Sequence, residues 1–410
     1  MFPIGKVVAP PTRLMRPLPF DFNPMRLFSL CCLSLALIAP AEPAKARQTS
    51  LEDIRGRLET ECAAGRFSGV VVAQVAGREV FKHVCGYTDW EARTPMTEGA
   101  RFKIFSATKS FTATAVLAMS ERGRLNLDDP LGHYLPRSPE AWRGVTLRHL
   151  LTHTSGIPDH TELLLDAYLT HGSADHSSAL DQVLGNLTAD QVTLKTPPGE
   201  TWAYNNFGYE LLAQVLAEVS GIPFHEVLTN DVLRPAGMSS ASVELPILED
   251  GRILGSQEPG LVMGYNGEPG RLTQARSYGF VQQGAGSIHA SYHDLLAFSA
   301  SLSRGEVISL ETQARVINEA VPISETAKYG FGWIVRSAAG RVYLQHSGGT
   351  NGFITDFSRT PDGQIAVVLL SNLGFTNTSI SRQLMEALLL SYAAPESSSS
   401  NAAQPVSSQP

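Results

Sequence analysis

The chain has 410 residues, 43% of them hydrophobic and 17% charged, with a formal net charge of −7. That balance is too apolar for an intrinsically disordered chain and too mixed for a bundle of membrane spans, and it lacks the basic excess of a nucleic-acid binder. The length accommodates a large core in a single catalytic unit.

Residues 27–39 form an apolar run directly after Arg26, and Ala39-Pro40-Ala41 and Ala44-Lys45-Ala46 are both small-x-small cleavage signals. This is the pattern of a secretory signal peptide over residues 1–46. The run is shorter than the roughly 20 residues of a stable transmembrane helix. Met25 offers a second start point just before it. The segment holds five basic and two acidic residues, so its removal leaves a mature chain of net charge −10. The expected location is periplasmic or secreted, with no stable membrane span once the leader is cut. Cys31 and Cys32 fall in the leader, which leaves Cys62 and Cys85. In an oxidising compartment these two can pair as a disulfide, and two separate buried thiols fit the sequence equally well. Neither has a histidine or a further cysteine at ligand spacing, so no metal is expected there, and no cofactor is expected elsewhere.

Residues 51–64 read as a helix. Residues 67–75 and 79–86 read as strands joined by an Ala76-Gly77 turn. From 105 to about 276 the chain reads as helix and loop. Strands return at 332–337, 342–346, 353–359 and 364–371, with Asp362-Gly363 as a turn signal before the last, and a helix follows over 379–393. Strands at both ends imply a central antiparallel sheet flanked by N- and C-terminal helices, with a mostly helical lobe inserted in it. This is an α/β fold of the α+β type. The folded domain then spans 47–393. Residues 394–410 are Pro-, Ser-, Asn-, Ala- and Gln-rich and are expected to be a disordered tail.

Three short segments carry chemistry. Ser106-Ala107-Thr108-Lys109 opens an apolar helix predicted to reach about residue 119. A serine and a lysine at i and i+3 share one helical face, and the lysine can take or shuttle the hydroxyl proton. The helix N-terminus adds partial positive charge beside a developing oxyanion. Lys109 is the only one of seven lysines with a serine three residues before it. The second segment is Tyr204-Asn205-Asn206, in an aromatic stretch that also holds Trp202, a candidate wall of the cleft. A phenol beside an amino group can act as a general base, and Asn206 offers both a donor and an acceptor for holding Lys109 and a substrate amide. The third is His346-Ser347-Gly348-Gly349, at the end of a predicted strand. The histidine can orient a substrate carboxylate or carbonyl, and Gly348 and Gly349 admit a substrate backbone along the strand edge. The Ser106 and Gly349 amides are the candidate oxyanion donors. His149 and His153 have zinc-helix spacing, but Leu150 stands where a metalloprotease has glutamate, so both read as structural. The chain has no Gly-x-Ser-x-Gly elbow, phosphate loop or dinucleotide fingerprint.

In this order the motifs resemble those of the serine beta-lactamase and penicillin-binding-protein superfamily, in the branch with class C beta-lactamases, D,D-peptidases and related esterases. Tyr204 and Asn206 match its Tyr-x-Asn, and His346 and Gly348 match the His-x-Gly that replaces Lys-Thr-Gly in many relatives. The resemblance covers about residues 50–393 and extends to Leu125-Asn126-Leu127-Asp128-Asp129-Pro130, to residues 146–156 and to Phe331-Gly332-Trp333. It implies a beta-lactamase/transpeptidase-like fold. It also implies Ser106 as the acylated nucleophile, Lys109 and Tyr204 sharing proton transfer, Asn206 bracing them, and His346 where a lysine often binds the substrate carboxylate. Neutral imidazole is a poorer anchor than ammonium. The implied activity therefore leans towards a peptidase, D,D-carboxypeptidase-like or small-peptide-cleaving, or an esterase, acting on a small peptide, peptidoglycan-like or ester substrate. A true beta-lactamase, an acyltransferase and a non-catalytic penicillin-binding-like protein are the alternatives.

Overall fold

The computed structural model describes residues 49–392 apart from 170–174, 250–251, 256–257 and 259. The expected leader, the start at Met25 and the expected tail lie outside the described residues.

The centre of the fold is where the two ends of the chain meet. The strand Gly69–Val75 (β1) is a near-continuous β-branched run, and Ile365–Ser371 is apolar almost throughout, as strands covered on both faces must be. They pair antiparallel from Gly69↔Ser371 to Val75↔Ile365. Arg78–Cys85 (β2) closes one edge through a tight turn in which Ala76 and Gly77 both have positive φ, the conformation that follows the natural twist of a hairpin. On the other side the eight-stranded sheet continues through Phe353–Arg359, Arg341–Thr350, Trp333–Ala338, Ala327–Gly330 and Val321–Ser324.

Alternation along β1 divides the core. Val71 and Ala73 face the layer formed by Leu51–Ala63 (α1) and Ser379–Ser391, with Ile54, Leu58, Leu384 and Leu388. Val70 and Val72 face the helical part of the molecule. Thr108–Glu121 (α2) lies there, buried from Thr108 to Met119. A helix covered on all sides cannot be amphipathic, and its hydroxyls must find partners inside. Ser110 donates to Gly332 O (2.6 Å) and Thr112 to Gly284 O (2.7 Å). The inserted helical segment shares this core with the sheet: Leu151, Leu212 and Leu370 belong to one continuous cluster. Among the described residues no single helix is long and apolar enough to cross a membrane.

Several strands escape the sequence pattern. Val321–Ser324 carries Pro322, which only an edge strand tolerates, and it forms the edge of the sheet. The expected helix-and-loop middle also contains the hairpins Pro246–Glu249 with Arg252–Gly255 and Tyr265–Glu268 with Arg271–Gln274. In addition, Ser242–Val243, Ile288–Ala290 and Phe102–Lys103 form a small sheet. That sheet steadies the chain just before Ser106, with Lys103 Nζ 2.8 Å from the fully buried Glu244 carboxylate. The strand Arg341–Thr350 runs past its predicted end because Gly349 and Thr350 stay in the ladder opposite Ile354 and Phe353.

Cys62 in α1 and Cys85 in β2 form a disulfide with 6.3 Å between Cα atoms, which decides between the two readings of the pair. The expectation that no histidine reaches them is corrected. His83 shares a face of β2 with Cys85, and its Nε2 lies 3.1 Å from Cys62 Sγ. With both sulfurs in the disulfide, neither is a thiolate ligand. The bond closes a sequence separation of 23 residues. Replacing both cysteines by serine should therefore lower unfolding free energy by about 3 kcal/mol, measured by urea titration of the oxidised protein and the double variant. Equal midpoints would show that the crosslink does not constrain the unfolded chain.

Candidate active site

The Ser106 segment begins with a sharp reversal. Phe105 has φ +44°, a left-handed conformation that side chains rarely adopt, and its buried ring sits 6.0 Å from that of Phe353. Phe105–Ala107 forms a single 3₁₀ turn, and α2 starts at Thr108. Ser106 is thus in the tighter turn before the helix and not in the helix itself. Lys109 follows in the first turn of α2, and Ser106 Oγ lies 3.3 Å from Lys109 Nζ.

Lys109 is fully buried. Its Nζ donates to Asn206 Oδ1 (2.7 Å) and to Ala285 O (3.3 Å), leaving its third position to Ser106. Asn206 is set by Asn205, which caps the helix Asn206–Ser220: Asn205 Oδ1 accepts from Gly208 N–H (2.8 Å) and its amide nitrogen donates to Ile157 O (2.5 Å). The residue between Tyr204 and Asn206 is therefore a helix cap, and it fixes both neighbours. Tyr204 rests on the ring of His153 (4.5 Å) with Lys109 Nζ 4.7 Å from its own ring centre. His153 Nδ1 accepts from Asn205 N–H (3.2 Å), and burial holds its pKa well below the usual value. His149 Nδ1 accepts from Thr146 N–H (3.2 Å) at the start of another helix. Both histidines serve the backbone, as their sequence context implies.

His346 lies in the middle of its strand and is almost fully buried. Its Nδ1–H donates to Ser347 O (2.7 Å), so Nε2 is the acceptor and takes the Tyr329 hydroxyl (3.1 Å). Burial, helped by Lys109, pushes its pKa down to about 3. Both nitrogens of a neutral ring have partners inside the protein, so a substrate carboxylate or carbonyl would meet His346 only in exchange for one of these bonds. Gly348 brings the strand against the Ser106 turn: a Cβ there would meet Ile104 O at 1.9 Å and Ser106 N at 3.1 Å.

Ser106, Tyr204, His346 and Gly349 line a cleft of about 270 Å³ whose walls include Trp202, Ile323 and Ile334. Lys109, Asn206 and Gly348 are not among the lining residues. A larger cavity of about 520 Å³, beside His176 and Phe224, contains none of these residues. Sequence reasoning missed Tyr329, although it stands two residues before the Phe331-Gly332-Trp333 segment. It also missed Ala285, which acts through a carbonyl and leaves no side-chain signal. Glu210 escaped as well. This fully buried carboxyl accepts from Gly284 N–H (3.2 Å) and Ala285 N–H (3.0 Å), and burial raises its pKa to about 8.

The family model for Beta-lactamase matches residues 54–390. Penicillin-binding protein 4* of Bacillus subtilis (strain 168) is 28% identical over 335 residues, 80% of this chain and 72% of its own length. Among solved structures, the octameric penicillin-binding protein homologue from Pyrococcus abyssi superposes with a TM-score of 0.70 at 25% identity, over 83% of this chain and 77% of its own. The D-amino acid amidase from Ochrobactrum anthropi SV3 superposes with a TM-score of 0.67 at 22% identity, over 82% and 98%, a likeness of fold.

The folded protein keeps the His346 ring neutral down to about pH 3, whereas an unfolded chain protonates it below roughly pH 6.5. Proton uptake in that window favours unfolding. The stability advantage of the wild type over His346→Asn should shrink by about 1.4 kcal/mol per pH unit between about pH 6 and 4. Urea titrations of both proteins at pH 7, 6, 5 and 4 check this, and a constant difference would show that the buried ring takes up its proton normally.

Proposed function

This chain belongs to the beta-lactamase family, and within it we propose an exported serine hydrolase, periplasmic or secreted, that works through an acyl-enzyme on Ser106. The observation that carries this reading is the placement of Lys109. Two of its positions are held by the carbonyl oxygens of Asn206 and Ala285, and the third faces the Ser106 hydroxyl. As Ser106 Oγ bonds to the substrate carbonyl carbon, its proton passes to Lys109 Nζ. The carbonyl oxygen takes the negative charge and is met by the amide groups of Ser106 and Gly349, beside the start of α2. Tyr204, half exposed at the cleft, hands a proton to the leaving group as the scissile bond breaks. Water then attacks the ester carbonyl on Ser106 and gives its proton to the Tyr204 oxygen, while Lys109 returns the proton it took to Ser106 Oγ as the acid leaves.

The substrate is an amide or ester of small size: a short peptide, a peptidoglycan-like fragment or a simple ester. Penicillin-binding and D-amino acid amidase relatives support acyl transfer from amides. The histidine strand motif argues against efficient penicillin hydrolysis. Ser106→Ala should lower kcat for an activated ester by at least about a thousandfold with an unchanged circular dichroism spectrum, and Lys109→Ala should do the same. Tyr204→Phe should cost about a hundredfold. Full turnover by Ser106→Ala would reject the reading.

A further inference from the structure

Away from the Ser106 cleft, the joint between α1 and β2 carries side chains that the proposed chemistry does not use. His83 and Cys85 are two residues apart on β2 and share one face of it, and α1 lays Cys62 against that face. His83 Nε2 lies 3.1 Å from Cys62 Sγ, and the ligand atoms of Cys62, His83 and Cys85 all lie within 4.8 Å of one another. A disulfide needs no imidazole beside it. Two thiolates and an imidazole, by contrast, are three of the four ligands of a tetrahedral zinc-type centre, with water as the fourth. Bonds of about 2.3 Å to sulfur and about 2.0 Å to nitrogen set such ligand atoms roughly 3.5–3.8 Å apart. With 6.3 Å between the two Cα atoms, the sulfurs of the reduced pair can part to that distance by side-chain rotation. All three side chains are half-buried, and β2 is an edge strand, so solutes can reach them. Arg55 and Glu59 on α1 bring opposite charges to His83, which leaves the two thiolates to set the local sign.

We propose that Cys62, His83 and Cys85 form a redox-gated metal site: once the disulfide is reduced, the three side chains bind a divalent cation of the zinc type, which fastens α1 to β2 in place of the S–S bond. The reductant is a dithiol. Its two sulfurs join as the Cys62–Cys85 bond breaks, two electrons pass to the protein, and the two thiol protons move to the cysteine sulfurs. The cation displaces those two protons as it binds. A disulfide oxidant reverses both steps and frees the cation. The joint shares no residue with the Ser106 cleft, so the proposal stands apart from the acyl-enzyme reading.

The test is a cobalt(II) titration followed by thiolate-to-cobalt charge-transfer absorption. It uses the full chain with Cys31→Ser and Cys32→Ser, so that Cys62 and Cys85 are its only cysteines. The protein is reduced with dithiothreitol, freed of it without oxygen, and compared with its oxidised form. The reduced protein should bind a single cobalt ion and the oxidised protein none. Zinc should displace the cobalt, and should raise the urea midpoint of the reduced protein while leaving that of the oxidised protein unchanged. His83→Gln should weaken cobalt binding by at least about tenfold, the smaller of the losses met when only a group behind a metal ligand is changed. If the reduced chain unfolds, an equivalent of zinc should restore its native circular dichroism spectrum. No cobalt uptake by the reduced protein, equal uptake by the oxidised protein, or unchanged affinity in His83→Gln would overturn the proposal. The comparison of reduced with oxidised protein needs no ligand variant and decides even if His83→Gln fails to fold.

Discussion

A lysine amino group with no access to water must find its partners inside the protein, and that requirement organises this molecule. Lys109 draws on its own turn through Ser106, on the start of the helix Asn206–Ser220 through Asn206, and on the 283–286 turn through the Ala285 carbonyl. These segments are far apart in sequence. The middle one does double service. Asn206 and Glu210 are four residues apart on one helix face; the first holds Lys109 directly, and the second clamps the amides of Gly284 and Ala285 and so presents the Ala285 carbonyl. One helix therefore sets two of the three positions around the amino group, and Asn205 sets that helix.

The sheet supplies the opposite wall through close approach. Gly332 lies so near the α2 backbone that a Cβ would come within 2.5 Å of Lys109 O, and Gly348 comes still closer to Ile104 O. These contacts press the Ser106 turn between helix and strand. They also leave little room for a polar side chain on that wall to find water, which is why His346 and Tyr329 satisfy each other.

Much of this was legible in the sequence, for definite reasons. The β-branched run of β1, the two-residue turns and the apolar C-terminal strands point to an antiparallel sheet closed by both termini, because strands covered on both faces need that composition. Ser106, Lys109, Tyr204, Asn206, His346, Gly348 and Gly349 converge in space as their motifs imply. What stayed hidden depended on tertiary pairing. The edge strand Val321–Ser324 contains a proline that demotes it on local grounds, and the short strands between 242 and 274 are ordered only by their partners. The pairing of His346 with Tyr329, seventeen residues away, left no local signal either. His83 reaches Cys62 only because β2 lies against α1.

Lys109, held against Ser106, is what marks that hydroxyl as the proposed nucleophile. The most direct measurement is peptide mapping by mass spectrometry after treatment with a fluorophosphonate, run on wild type, Ser106→Ala and Asn206→Ala. The wild type should give a single phosphonylated peptide containing Ser106, Ser106→Ala none, and Asn206→Ala markedly slower labelling, because Lys109 has lost its shortest hydrogen bond. A phosphonylated residue other than Ser106, or labelling of Asn206→Ala at the wild-type rate, would contradict it.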